Sequence, residues 1–409
     1  MQILFIHGNY PAQFRNLVSD LGSQGVHDVR YLTARKDPEI FPLDGVKIEK
    51  YQESEEDIQH RLGTQAIINE QITRGEIIQA KLYELILEGF RPKLIIFHGG
   101  NGLGLFLRQL LPDALLVGYF EWYFSKRCAN LILNRDDLAG YNYIHSRNIC
   151  TENEILNCDA GIVPTEWQAS QFPAKLRSHL TTIFDGINLE FFKPADPSIF
   201  SKSVILKGEN DSLTVGKGEL LLSYATRGME PIRGFPEFMR ALPNLLKKLP
   251  NLKVLIGGRD RSAYGPKCPN NEGSWLKMML NELPTLQDHE RITYTGLMSY
   301  GDYRLMLQRT NLHCYFTKPF VTSWSLFEAV ACGAPILCNK SPATSGTINL
   351  PTKSTLNSIE EIYSDHGIEL AISILNERKK RRPGLNEEFS ILQAKKRWAD
   401  LINGLIMAS

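Results

Sequence analysis

Two arginines, Arg227 and Arg233, stand in the segment SYATRGMEPIRGF, where a strand pattern gives way to a helix pattern. Guanidinium groups grip phosphate oxygens through paired hydrogen bonds, so two of them here could clamp a diphosphate. Read singly, each is a solvated loop charge. A second stretch, TKPFVTSWSLFEAVACGA over 317–334, reads as strand end, loop, helix and stop. Pro319 bars helix continuation, and Gly333 with Pro335 supplies the stop. Ser325 and Glu328 spell S-x-x-E, which locally makes Glu328 the capping-box partner of Ser325. A helix N-terminus carries partial positive charge and free N–H groups, which suits an anion.

Other candidates lie at strand ends. His98-Gly99-Gly100-Asn101-Gly102-Leu103-Gly104 follows a strand pattern and opens an apolar helix. Leu105 stands where the last glycine of G-x-G-x-x-G should be, so the dinucleotide fingerprint is incomplete. Glu121 lies near the distance at which such a fold keeps its ribose carboxylate, and this supports a nicotinamide-dependent oxidoreductase as one reading. His98 reads either as a satisfied, partly buried histidine or as a polar group offered to a ligand. Gly8 and Asn9 follow the first strand. Arg259 and Asp260 follow Ile256-Gly257-Gly258 and read locally as a loop ion pair. Tyr294-Thr295-Gly296-Leu297 reads locally as a strand-to-helix turn. No D-x-D, H-x-x-x-H or cysteine cluster argues for a metal.

Strand and helix patterns alternate almost throughout, which predicts a parallel α/β fold. Apolar runs at 2–7, 28–33, 93–97, 114–120, 160–164 and 181–184 read as strands of a first half. Helical patterns fall at 13–21, at 55–87 with interruptions near Gly63 and Gly75, and at 139–156. A second half restarts with strands at 219–225, 252–256, 291–295 and 312–316, and with helices at 236–249, 275–283 and 300–309. The Ser, Lys and Gly-rich stretch 201–218 reads as a surface loop or ribbon. Two such halves predict two Rossmann-like domains facing across a cleft. The last helix, over about 386–406, places Phe389, Leu392, Trp398, Leu401, Ile402 and Leu405 on one stripe.

The 409 residues, 43% of them apolar, suffice for two cores, and a net charge of +1 gives no case for nucleic acid. No apolar run is long enough to span a bilayer, and the N-terminus lacks the pattern of a signal peptide. Seven cysteines without regular spacing suit a reduced, cytoplasmic protein. The run Arg378–Arg382 reads as a solvated helix end, with an anionic membrane surface as the minority reading.

Residues 320–338, with Glu328-Ala329-Val330-Ala331-Cys332-Gly333-Ala334-Pro335, resemble the nucleotide-sugar site of retaining GT-B glycosyltransferases of family four. IFDGINLEFFKP over 183–194 resembles that family's interdomain turn, where Asp185-Gly186 favours tight-turn geometry. The resemblance implies a GT-B fold divided as 1–184 (acceptor side), 185–385 (nucleotide-sugar side) and a crossing-back helix at 386–409. It implies transfer of a sugar, with anomeric retention and without a metal, from a UDP- or GDP-linked donor. Arg227, Arg233, Glu328 and His98 would be the catalytic groups. Gly8, Asn9, Arg259, Gly296, Leu297, Phe320, Val321, Thr322, Ser323, Trp324, Ser325 and Leu326 would complete the donor site. Glu328 would hold the ribose, and His98 and Glu121 would line the acceptor side. Three positions depart from the pattern. Phe320 replaces a second glutamate, Asn9 replaces a glycine, and the arginine spacing is one residue longer. No cofactor beyond the nucleotide sugar is implied. The acceptor (glycan, lipid-linked sugar, small molecule or protein), contact with the inner face of a membrane, and the oligomeric state stay open. A sugar-nucleotide epimerase of similar fold and a silent sugar-binding protein are the other readings.

Overall fold

The computed structural model describes residues 1–53, 63–269, 273–350, 354–377 and 384–408. The expected helical stretch 55–62 and the run Arg378–Arg382 lie outside the described residues, apart from Gly63 onward. The chain divides into two compact units, Met1–Asn130 with Arg135–Gly186 and Glu388–Ser409, and Leu131–Asn134 with Ile187–Glu387.

In unit 1 the apolar runs become strands β1 (Gln2–Ile6), β2 (Asp28–Thr33), β3 (Val46–Lys50), β4 (Leu94–His98), β5 (Leu115–Tyr119), β6 (Ala160–Val163) and β7 (Leu180–Thr182). They form one sheet in the order β3-β2-β1-β4-β5-β6-β7, with every pairing parallel. All five residues of β4 are buried, as expected for a strand covered on both faces. One face packs against the helix Thr64–Leu87, through Ile78, Leu82 and Leu85. The other packs Ile3, Phe5 and Phe14 with Trp398 and Ile402 of the last helix, Ile391–Ala408. Lys395 pairs with Asp20 at 2.7 Å, and Phe389 meets Phe184 edge-on at 5.4 Å. The helix Thr64–Leu87 runs unbroken through Gly75, where a break was expected. A Cβ at Gly75 would sit 3.0 Å from the Gly102 carbonyl and the Phe106 ring, so the glycine permits close packing on the His98–Gly104 loop.

Unit 2 opens with an antiparallel hairpin, β8 (Val204–Lys207) and β9 (Ser212–Val215), so the stretch 201–218 is a ribbon. Its sheet holds β10 (Leu220–Gly228), β11 (Leu252–Arg259), β12 (Ile292–Gly296), β13 (Leu312–Tyr315), β14 (Ile336–Asn339) and β15 (Thr355–Leu356) in the order β12-β11-β10-β13-β14-β15, all parallel. The helix Phe235–Lys248 lays Phe238, Leu242 and Leu245 over the core that β10 and β11 share.

Both strand orders step outward on one side and then jump back across the first strand. Ligands of such sheets bind beyond the carboxyl ends of the strands at that reversal. The reversal lies between β1 and β4 in unit 1, and between β10 and β13 in unit 2. No helix among the described residues is long and apolar enough to cross a membrane.

Candidate functional site

At the reversal in unit 2, β10 leads into a short turn, Pro231–Arg233, and Gly234 adopts a left-handed φ of +65° before the helix Phe235–Lys248. The geometry fixes Arg233, which is 7% exposed. Its carbonyl accepts from the Tyr224 hydroxyl at 2.8 Å, and its Nη1 donates to Thr317 Oγ1 at 2.8 Å. Thr317 is itself tied to Asn339 at the end of β14, by N–H to Oδ1 at 3.0 Å and Nδ2 to carbonyl at 2.9 Å. Arg227 lies within β10 and is exposed, and its Nη1 donates to the Tyr264 hydroxyl at 3.2 Å. Both guanidiniums face the Tyr264 ring, at 5.8 and 5.5 Å, and that ring meets Phe320 edge-on at 5.6 Å.

Tyr264 is a member of this cluster that sequence reasoning missed. Its loop is held by Glu230, which is fully buried and accepts from the N–H groups of Ala263 (3.1 Å), Tyr264 (3.1 Å) and Gly265 (2.7 Å). Three backbone donors on one carboxylate satisfy a buried charge without a cation.

The helix after β13 runs Trp324–Ala331, and its cap is Ser323, whose Oγ accepts from the Ser325 N–H. The expected cap, Ser325, is therefore inside the first turn, and Glu328 lies in the second turn, beyond reach of a capping box. Glu328 is 8% exposed, and burial pushes its carboxyl up to about 7. The Tyr303 phenol faces it closely enough to oppose this shift, without reaching full hydrogen-bond geometry. Thr322 Oγ1, in the loop before the cap, is sealed from solvent and has no partner among the described residues.

Two candidate segments of unit 2 have partners that the sequence did not indicate. Arg259 ends β11 exposed and makes no ion pair with Asp260, which instead accepts from Ser274 Oγ at 2.5 Å and Leu276 N–H at 3.3 Å, at the start of the helix Trp275–Glu282. The carbonyls flanking Gly296 are already engaged. Asn210 N–H donates to Thr295 at 2.9 Å, and Glu209 N–H donates to Leu297 at 2.8 Å, both from the β8–β9 hairpin loop. Gly296 has φ of +67°, and a Cβ there would meet the Asn210 side chain at 2.8 Å.

At the reversal in unit 1, the rings of His7 and His98 lie 4.4 Å apart. His7 Nδ1 accepts from the Asn9 N–H at 2.8 Å. In the neutral ring the proton is then on Nε2, which faces Gln13 Oε1 at 2.9 Å. Burial, and then His98, hold the His7 pKa well below its ordinary value, so the ring is neutral. Gln13 passes the orientation on, its Nε2 donating to Glu121 Oε1 at 2.7 Å. Glu121 Oε2 is 3.8 Å from His98 Nε2, which makes no hydrogen bond of its own. Gly8 and Asn9 are tied within this unit, Gly8 by Thr33 Oγ1 at 3.4 Å and the Asn9 carbonyl by the Tyr31 hydroxyl at 3.2 Å.

The glycine-rich loop has a different use from the one its composition invites. Glu154, 1% exposed, accepts from Gly100 N–H at 2.5 Å and Gly104 N–H at 2.8 Å. Burial raises its carboxyl to about 7 against the pull of those donors and of His98. The N–H groups a dinucleotide pyrophosphate would need are thus turned inward to a carboxylate, which removes the physical basis of the oxidoreductase reading.

Residues 25–192 match the family model described as a glycosyl transferase family 4 group. No curated protein sequence matches the chain. Among solved structures, sucrose-phosphate synthase from Thermosynechococcus elongatus is similar at a TM-score of 0.65 and 16% identity, over 100% of both chains. Anabaena HepE in complex with UDP-glucose is similar at 0.61 and 12%, over 99% of this chain and 100% of that one. A putative UDP-N-acetylglucosamine 2-epimerase from Listeria monocytogenes is similar at 0.58 and 14%, over 100% and 97%. At these identities the likeness carries the fold, and the fold is GT-B, built of two Rossmann-like units.

Proposed function

We propose that this chain is a glycosyltransferase that moves a sugar from a nucleotide-sugar donor to an acceptor, with retention and without a metal. The observation that carries the reading is the pair of arginines at the β10–β13 reversal, one pinned on Thr317 and both facing Tyr264. Unit 2 is the donor side, and unit 1, which includes the returning helix Ile391–Ala408, is the acceptor side. Arg233 and Arg227 hold the diphosphate and stabilise the charge that grows on the leaving group. The start of the helix Trp324–Ala331, with Thr322 Oγ1 unpartnered beside it, adds donors for the same phosphates.

Glu328 accepts from the ribose hydroxyls, and Phe320 with Tyr264 offers the donor sugar an apolar wall where the family pattern has a carboxylate. Val321, Ser323, Trp324, Ser325 and Leu326 shape that loop, with Arg259 at its border. Base recognition falls to the backbone groups at Gly296 and Leu297, where the Thr295 and Leu297 carbonyls each already accept one backbone bond. In unit 1, Gly8 and Asn9 are offered to the donor, and His98 and Glu121 orient the acceptor. The similar solved structures include a sucrose-phosphate synthase and a putative epimerase, so one experiment separates the two chemistries. The protein is incubated with a panel of UDP- and GDP-sugars, with and without chelator, while nucleoside diphosphate release and sugar isomers are read. Release that survives chelation supports the proposal. An isomerised sugar still linked to its nucleotide makes it an epimerase, and metal-dependent release removes the arginine mechanism.

A further inference from the structure

A charge withdrawn from water is normally paired. In unit 1 Arg147 is an exception. It lies half-buried on the helix Leu138–Asn157, with its guanidinium 4.4 Å over the Phe124 ring. Among the described residues its side chain makes no hydrogen bond or ion pair, and its nitrogens are not sealed from solvent. Arg74, on the helix Thr64–Leu87, is by contrast paired twice, with Glu53 at 3.2 Å and Glu70 at 2.6 Å. Glu53 and Glu70 are thereby already engaged. Burial holds the Arg147 pKa below the ordinary arginine value; Tyr143, Glu70 and Cys128 oppose the shift and Arg74 adds to it.

The surroundings are built. Phe124 is locked by the fully buried Asn148, N–H to Oδ1 at 2.9 Å and Nδ2 to carbonyl at 2.8 Å. Gln71 Nε2 bridges the Arg147 carbonyl at 3.3 Å and the Gly100 carbonyl at 3.1 Å, which links the stack to the loop after His98. Phe124 itself belongs to the segment that carries Glu121 away from β5.

We propose that Arg147, flat on Phe124, is an oxyanion subsite that takes a carboxylate or phosphate monoester on the molecule bound beside His98 and Glu121. A guanidinium stacked by its face keeps its edge for the planar fork that such groups match. The subsite stands on the geometry of unit 1 alone. That its ligand is the sugar acceptor rests on the function proposed above.

The test uses the intact protein carrying Arg233→Met, so that the arginine proposed for the diphosphate cannot answer for the anion. Inorganic phosphate and acetate are titrated separately by calorimetry, with melting temperature in parallel. At least one should bind, and adding Arg147→Met should weaken that binding about tenfold or more. The ligand-free melting temperature should stay level or rise, because an unpaired, partly desolvated charge has been removed. Binding of phosphate alone makes the group a phosphate monoester, and binding of acetate alone makes it a carboxylate. Binding of neither anion, equal binding with and without Arg147, or a melting temperature several degrees lower in the variant would overturn the subsite. None of these outcomes depends on donor turnover.

Discussion

In the proposed role at the ribose, Glu328 would start from an unfavourable state. Burial lifts its pKa from 4.5 to about 7. The folded chain then binds more protons than the unfolded chain between those values. Relative stability from this group is full below the ordinary carboxyl pKa and is lost as pH rises toward 7. The gap corresponds to on the order of 3 kcal/mol. Glu328→Gln should therefore raise the melting temperature near pH 8 and leave it unchanged near pH 4. It should also weaken nucleoside diphosphate binding, because ribose hydroxyls need a strong acceptor. The parent should lose affinity as pH falls from about 8 to 6, and the variant should not. Calorimetric Kd values across that range check this, and parallel slopes would take Glu328 out of the site. The strand, loop and helix that carry Glu328 were legible because they are contiguous in the chain. Tyr264, Glu230, Gln13 and Arg147 were not, because each acquires its meaning from a partner distant in sequence. The cap fell on Ser323 rather than Ser325 because the extended backbone, φ −89° and ψ 140°, occurs there, and two serines so close give the same sequence signal.

Glu154 holds two N–H groups of the loop His98–Gly104. Glu154 supplies the acceptor for two buried N–H groups, and an amide in its place can accept only through its single oxygen. Glu154→Gln should leave one N–H facing an NH₂ group and cost about 1–3 kcal/mol. Hydrogen exchange at Gly100 and Gly104 should accelerate while β1 and β4 stay protected. Unchanged exchange would show that the loop holds its shape without the carboxylate. Strands with continuous apolar runs, such as β1, β4, β10 and β13, could be read from composition alone. The edge strand β3 is only half-buried and β15 has two residues, so neither leaves an apolar run. Gly75 misled for a related reason: its cost in a helix is offset by packing that only the tertiary structure supplies.

Two units, each with its own core, should melt as two cooperative blocks. Trp398, 5% exposed, belongs to the core of unit 1 although unit 2 separates it from β1–β7 in sequence. Trp398→Ala should cost that unit about 3–5 kcal/mol. In differential scanning, one transition should fall and the other, the one raised by nucleoside diphosphate, should stay in place. A common downward shift would show a single cooperative block. The same return of the chain sets an order of events on the ribosome. All seven strands of the first sheet are synthesised before the segment Ile187–Glu387 of unit 2, yet Ile3, Phe5 and Phe14 wait for a helix made after it. The second unit can therefore finish folding while the first still exposes an apolar face. Over that interval the nascent chain depends on holdase chaperones for unit 1 and not for unit 2.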